Sequence, residues 1–226
     1  MASVPRLPVR DELFLLAHDD DTGQPHLHPH ALAIGLAGAV LIDLFLTGRI
    51  TIDPAQGTHS AVEQRLHLFN GRPTGDLIAD SALASIRYPH PAPTVRGWLR
   101  GFSDDLYERT RAGLVAAGIL RHASRRRLAG LLRTDTYRAT DTKWAIIARA
   151  RLRYLATGRE PADNHTAALA GLIAALNLTA YLYLDDDTTA LTHRLRTVAG
   201  QHHRPVRHIT AAVDAALGDL ATATYR

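Results

Sequence analysis

Arg109 and Arg111 are followed, within one short stretch, by Arg121, Arg125, Arg126, Arg127, Arg133 and Arg138. A guanidinium group is planar and permanently charged, and its N–H donors form a fork that matches two oxygens of one phosphate. The chemistry open to such a cluster is recognition of an anion, on a lipid head group or along a nucleic acid. Arginines on a strand edge also discourage pairing with other chains, and that structural role needs no ligand.

Other residues of chemical interest lead nowhere so definite. His26, His28 and His30 alternate in HLHPH, and imidazole is a common metal ligand. An extended spacing with Pro29 inside it does not close a ligand set, so no metal centre is expected. Asp19 to Gly23, DDDTG, has the opening of a calcium loop without the downstream bidentate glutamate, and it reads as a solvated turn. No glycine-rich phosphate loop, nucleophile elbow or His-Glu-x-x-His helix occurs. Without cysteine, thiolate chemistry and disulfides are excluded. Nothing here points to an enzyme or to a cofactor.

The chain that must position the arginines has 226 residues, 46% hydrophobic and 21% charged, which is globular composition with enough length for a sizeable core. The formal net charge is +4 and Lys143 is its one lysine; a basic excess favours anionic partners. The heavy use of Arg and Ala fits GC-rich coding. The first residues lack the pattern of a secretory leader, so a cytoplasmic location is expected.

The most apolar passage, Ala31 to Leu46, carries Asp43 in its middle. A membrane span needs about 20 apolar residues, and a central carboxylate costs roughly 2.5–3.5 kcal/mol on insertion scales. Ile34, Gly35, Gly38, Leu41, Ile42 and Phe45 recur at helical spacing, so the passage is expected to be a buried core helix ending at Gly48. A helix over Leu13 to Leu16 precedes it, opened by Asp11 and Glu12. Short strands are expected in RITID and over Leu66 to Phe69. From Asp76 a helix should turn Leu77, Ile78, Ala82, Leu83 and Ile86 inward, and another should begin near Thr94. Ser103 is the expected N-cap of a helix with Leu106, Leu114, Val115 and Ile119 in the core. After Gly118 two strands should form a basic hairpin, which with the preceding helix gives the outline of a winged helix over 103–141. From Thr142 onward the pattern is helical, with 163–184 read as a single helix. LDDDTT at Leu184 to Thr189 reads as an acidic helix start.

LPVRDELFLLAHDDDTG, GLAGAVLIDLFLTGRI, RPTGDLIADSAL, TVRGWL and LVAAGIL occur in the order and spacing of the Golgi phosphoprotein 3 family, which includes a yeast vacuolar sorting protein. The resemblance runs from Leu7 to Leu220. It implies a mainly α fold, one globular domain over 1–226 built around a buried hydrophobic helix, with short strands and a β-hairpin. It also implies a non-enzymatic, peripheral membrane adaptor that binds phosphatidylinositol 4-phosphate and the tails of membrane proteins. Its hairpin would dock on the bilayer or join subunits of an oligomer.

Carrying the family's head-group pocket onto this chain puts its tryptophan at His28. Its three arginines fall at Ala37, Asp104 and Tyr107, so none of the four keeps its residue type. Charge-assisted hydrogen bonds contribute about 1.5–3 kcal/mol each, so the specific head-group grip should be weaker here. The arginine cluster remains as an anionic docking face, comprising Arg109, Arg111, Arg121, Arg125, Arg126, Arg127 and Arg133. The expected ligand is an anionic lipid head group at the inner face of a membrane, and the composition suits a bacterial-type member. The alternatives are a soluble protein–protein scaffold and, after it, a winged-helix nucleic-acid binder.

Overall fold

The computed structural model describes residues 6–53, 64–89, 91–127, 132–159, 163–182, 187–201 and 203–223. Helix α2, Pro29–Leu46, is the axis around which the rest is arranged. Pro29 suits its first turn, where the missing N–H costs nothing, and His28 Nδ1 accepts from His30 N–H at 3.3 Å. Leu32 to Ile42 is buried without interruption, and α2 packs on helices from both ends of the chain. By length and composition α2 could cross a membrane, yet 67% of it is buried inside the protein. It is core, as its central carboxylate predicted.

Two glycines let other helices close on α2. A Cβ on Gly35 would lie 2.5 Å from Leu176 Cδ1, and one on Gly38 would lie 2.5 Å from Val213 Cγ2. Gly38→Val should therefore overpack the contact and cost about 1–3 kcal/mol. Gly113 faces open space in helix α5 (Leu106–Ala116), so Gly113→Ala should gain about 0.5–1 kcal/mol. Denaturant midpoints of the two variants should move in opposite directions.

Helix α1, Val9–Leu16, lies against α2 and is buried along its whole length, including Arg10, Asp11 and Glu12. Pro8 gives it no side-chain cap. Asp43 of α2 supplies one instead, accepting from Val9 N–H at 3.1 Å and Arg10 N–H at 3.3 Å. The charge inside the apolar run is thus the anion for the N-terminus of a neighbouring helix.

α2 ends where Gly48 (φ 64°) donates to the Phe45 carbonyl and Arg49 to the Leu44 carbonyl, a left-handed stop that glycine adopts without strain. Strand β1, Ile50–Ile52, then pairs antiparallel with β2, Leu66–Leu68, Ile50 opposite Leu68. Helix α3, Leu77–Arg87, is capped by Asp76, which accepts from Ala79 N–H at 2.8 Å. Its inward stripe is Ile78, Ala82, Leu83 and Ile86; Leu77, expected inside, is 86% exposed because it falls off that stripe. Helix α4, Val95–Phe102, starts at Thr94 as expected.

Before α5 the expectation needs correction. Asp105 holds the cap position, while Ser103 is fully buried with its hydroxyl donating to the Arg100 carbonyl. Val115 is 38% exposed, since the buried face of α5 runs through Leu106, Thr110 and Leu114. The hairpin is present: β3, Leu120–Arg127, pairs antiparallel with β4, Leu132–Ala139.

Helices α6 (Lys143–Ala156), α7 (Asn164–Ala175), α8 (Thr188–Gln201) and α9 (Arg204–Ala223) complete the chain. The expected single helix over 163–184 is broken. Asn177 turns left-handed (φ 54°) and ends α7, and a 3₁₀ turn, Thr179–Leu182, follows. Asn is the residue after glycine best able to make that stop. Asp187 Oδ1 accepts from Thr189 N–H at 2.9 Å at the start of α8; Leu184, Asp185 and Asp186 lie outside the described residues. Buried side chains from Val9 to Ala216 form one continuous core, so the fold is mainly α, a single globular unit with two small antiparallel strand pairs.

Candidate functional site

The hairpin is seated on α5 and on the turn after α1. In that turn Asp19 Oδ1 accepts from Thr22 N–H at 2.7 Å and from Asp21 N–H at 3.2 Å. Gly23 (φ 69°) lies under β4, and a Cβ there would collide with the Tyr137 carbonyl. The DDDTG segment is a turn with Asp21 and Thr22 exposed, as expected, whose Gly23 also supports the hairpin. Asp20 contributes by pairing with Arg149 of α6 at 2.6 Å.

Arg111 ties α5 to the hairpin. Its guanidinium pairs with Glu108 and lies 4.3 Å from the Tyr137 ring centroid and 5.9 Å from that of Tyr107. Arg109 sits 3.4 Å from Asp105 and over the Phe102 ring at 5.4 Å. Exposed pairs of this sort contribute about 0–1 kcal/mol, so their main effect is to cancel charge along α5. Asp104, Asp105 and Glu108 are all exposed at its start.

The net positive charge of this face therefore rests on the hairpin. Arg121 is exposed and stands opposite Arg138 in the pairing register, and among the described residues neither meets an acidic side chain. The register continues with Arg125 opposite Thr134, Arg126 opposite Arg133 and Arg127 opposite Leu132. The side chains of Arg125, Arg126, Arg127 and Arg133 lie outside the described residues.

The four carried-over pocket positions are spread differently. His28 is exposed at the start of α2, Ala37 has no accessible surface within α2, and Asp104 is exposed before α5. Tyr107 turns inward. Its hydroxyl donates to His18 Nε2 at 3.0 Å, because His18 Nδ1–H is committed to the Phe14 carbonyl at 2.6 Å. Phe14, His18 and Tyr107 form a stacked group with centroids 4.2–5.8 Å apart. Burial pushes the His18 pKa down to about 4, against the bond to the Phe14 carbonyl. His26 stacks on Tyr181 with centroids 4.0 Å apart, and among the described residues no three His, Asp or Glu side chains gather as metal ligands.

At the other end of α1 lies a cleft of about 320 Å³ lined by Arg6, Leu7, Pro8, Arg10, Val40, Asp43, Leu44, Thr47, Thr74, Asp76, Ala79 and His165. Buried charges surround it in closed pairs. Arg10 bonds Asp11 at 2.8 Å and both oxygens of Asp76 at 3.0 and 2.9 Å. Burial alone would lower the Arg10 pKa; its bonds to Asp76 and the charge of Asp11 hold it above the ordinary value instead. Glu12 accepts from Arg151 and, at 3.1 Å, pairs with His165 Nε2. These pairs escaped sequence reasoning, because nothing in local spacing links residue 12 to residue 151. The one available signal was Asp43, a charge where only apolar residues were expected.

The sequence profile of the family described as Golgi phosphoprotein 3 (GPP34) matches residues 9–220. The chain is also 26% identical over 132 residues to the vacuolar protein sorting-associated protein 74 of Eremothecium gossypii, an alignment covering 52% of this chain and 40% of that relative. The match thus spans less than half the length of that curated relative.

Proposed function

The chain belongs to the Golgi phosphoprotein 3 family, and from that premise we propose that it is a non-enzymatic, peripheral membrane protein that holds anionic lipid head groups with its arginine-bearing hairpin. The observation that carries this reading is the exposed Arg121 opposite Arg138, on strands that also hold Arg125, Arg126, Arg127 and Arg133. In this reading charge density replaces the family's pocket. Positions His28, Ala37, Asp104 and Tyr107 no longer supply a tryptophan and three arginines, so preference for one phosphoinositide gives way to preference for negative surface charge. The protein acts at the inner, cytoplasmic face of a membrane, where tails of membrane proteins are the expected clients.

Each arginine near an anionic surface contributes about 1 kcal/mol. Changing Arg121 and Arg138 together to Glu should remove at least about 2 kcal/mol, near thirtyfold in affinity. Co-sedimentation with phosphatidylcholine vesicles, with and without phosphatidylglycerol, reads this. Binding should need the anionic lipid, weaken with added salt and collapse in the double variant. Equal binding to both vesicle types would sink the proposal.

A second reading, a protein–protein scaffold, is favoured by the way Arg109 and Arg111 are already engaged with Asp105, Glu108 and the aromatic rings. Flat vesicle results would support it. Nucleic acid stands last, because Asp104, Asp105 and Glu108 crowd the start of α5, the helix of the winged-helix outline. Steeply salt-dependent DNA binding would reverse that order.

A further inference from the structure

The cleft beside α1 takes no part in head-group binding, and its lining chemistry is specific. Arg6 is paired with Asp163 at 3.0 Å, Arg10 and Asp76 are bound to each other through both oxygens, and His165 is held by Glu12. Asp43 differs from all of these. Its oxygens accept only from the backbone N–H groups of Val9 and Arg10, so it is the ionisable lining group without a bonded side-chain partner among the described residues. Around it run the apolar walls of Leu7, Pro8, Val40, Leu44 and Ala79.

We propose that this cleft binds a small primary amine, the ammonium resting against the Asp43 carboxylate and the apolar body lying along those walls. The volume, about 320 Å³, is at the lower end of small-molecule sites. An anion would meet Asp43, while the lining guanidiniums of Arg6 and Arg10 are already held by Asp163 and by Asp11 and Asp76. A divalent cation would find one unpaired carboxylate and too few further oxygens. A neutral apolar guest would displace water from the carboxylate and leave it with only the two backbone N–H groups, which costs free energy. An ammonium satisfies that charge while its stem covers apolar surface. Capping α1 explains why an acceptor stands at position 43 and why a charge is tolerated there; the same charge, facing the cleft, also suits a cationic guest. Burial pushes the Asp43 carboxyl up to about 6, against the N–H groups of Val9 and Arg10 and the facing charges of His165 and the Arg10 guanidinium, so amine affinity should fall as the pH drops through that value.

The test titrates the full chain with phenethylamine, phenethyl alcohol and phenylpropionate, following the backbone amide resonances of Val9 and Arg10. Phenethylamine should move both saturably and bind about tenfold or more tightly than the other two. Asp43→Asn should erase that preference. Ala79→Leu narrows the cleft without touching Asp43 and should weaken the amine, which keeps the question answerable if Asp43→Asn folds poorly. Amine and alcohol binding alike would overturn the proposal, as would amine binding that survives in Asp43→Asn or no response to any of the three.

Discussion

Alanine at position 12 is expected to remove about 3–5 kcal/mol of stability, because it strips the anion from a buried pair and leaves its cation behind. The Glu12 side chain is 3% exposed and Arg151 is 14% exposed. Two nitrogens of Arg151, Nε and Nη1, are buried without any other partner, so among the described residues the guanidinium would keep no anion once Glu12 is gone. His165 would lose its bond to that carboxylate as well. With domain stabilities near 5–15 kcal/mol, this loss leaves little reserve, and urea unfolding should show it as a large drop in midpoint. The paired replacement Glu12→Leu with Arg151→Leu removes both charges and should recover much of the loss. A drop below about 1 kcal/mol for the single variant would mean that the network is far wetter than its geometry indicates.

The second large effect concerns pH, where two groups oppose each other over one interval. His18 titrates near 6.5 when unfolded and near 4 when folded. Its stabilising contribution is therefore complete above 6.5 and disappears as the pH falls towards 4, a loss of about 3 kcal/mol. Asp43 runs the other way. Its carboxyl moves from 3.8 when unfolded to about 6 when folded, so the native state takes up the proton first and gains about 3 kcal/mol as the pH falls from 6 to 4. In the parent protein these two contributions oppose each other. Asp43→Asn should become acid-labile across that interval, and His18→Phe should become more acid-resistant than the parent. Asp76 and Asp163, whose pKa values are lowered in the fold, lose stability in acid in all three proteins and drop out of the comparison. Unfolding midpoints of the three proteins across the interval decide the matter. Parallel profiles would show that neither side chain is desolvated as its surroundings imply.

Local signals were enough wherever the determinants lie within a turn or two of each other. α2 shows its helical spacing, Gly48 and Gly118 mark left-handed stops, and the hairpin strands on either side of residues 128–131 follow the stop at Gly118. Leu77 and Val115 were misplaced because apolar type alone does not say which stripe of a helix faces the core. Asn177 was missed because a left-handed asparagine looks like any polar residue in an apolar run. The arginine cluster was legible because it is contiguous in sequence. What it touches was not: Arg111 meets Tyr137 only once the hairpin is folded back onto α5, and the DDDTG turn becomes a support only when Gly23 slides under Tyr137. The Asp43 cleft draws on four separate segments. No spacing rule could assemble it, although a carboxylate within an apolar helix was a fair sign that some donor had to be near.

Which surface meets the membrane can be read by labelling, since the chain has no cysteine of its own. A single cysteine at Leu132, carrying an environment-sensitive fluorophore, reports from the far end of the hairpin. The same label at Leu77 reports from the start of α3, beside the cleft. With anionic vesicles the label at 132 should shift to the blue and become shielded from aqueous quenchers, while the label at 77 stays unchanged. A response at 77 with none at 132 would contradict the hairpin as the membrane-facing surface.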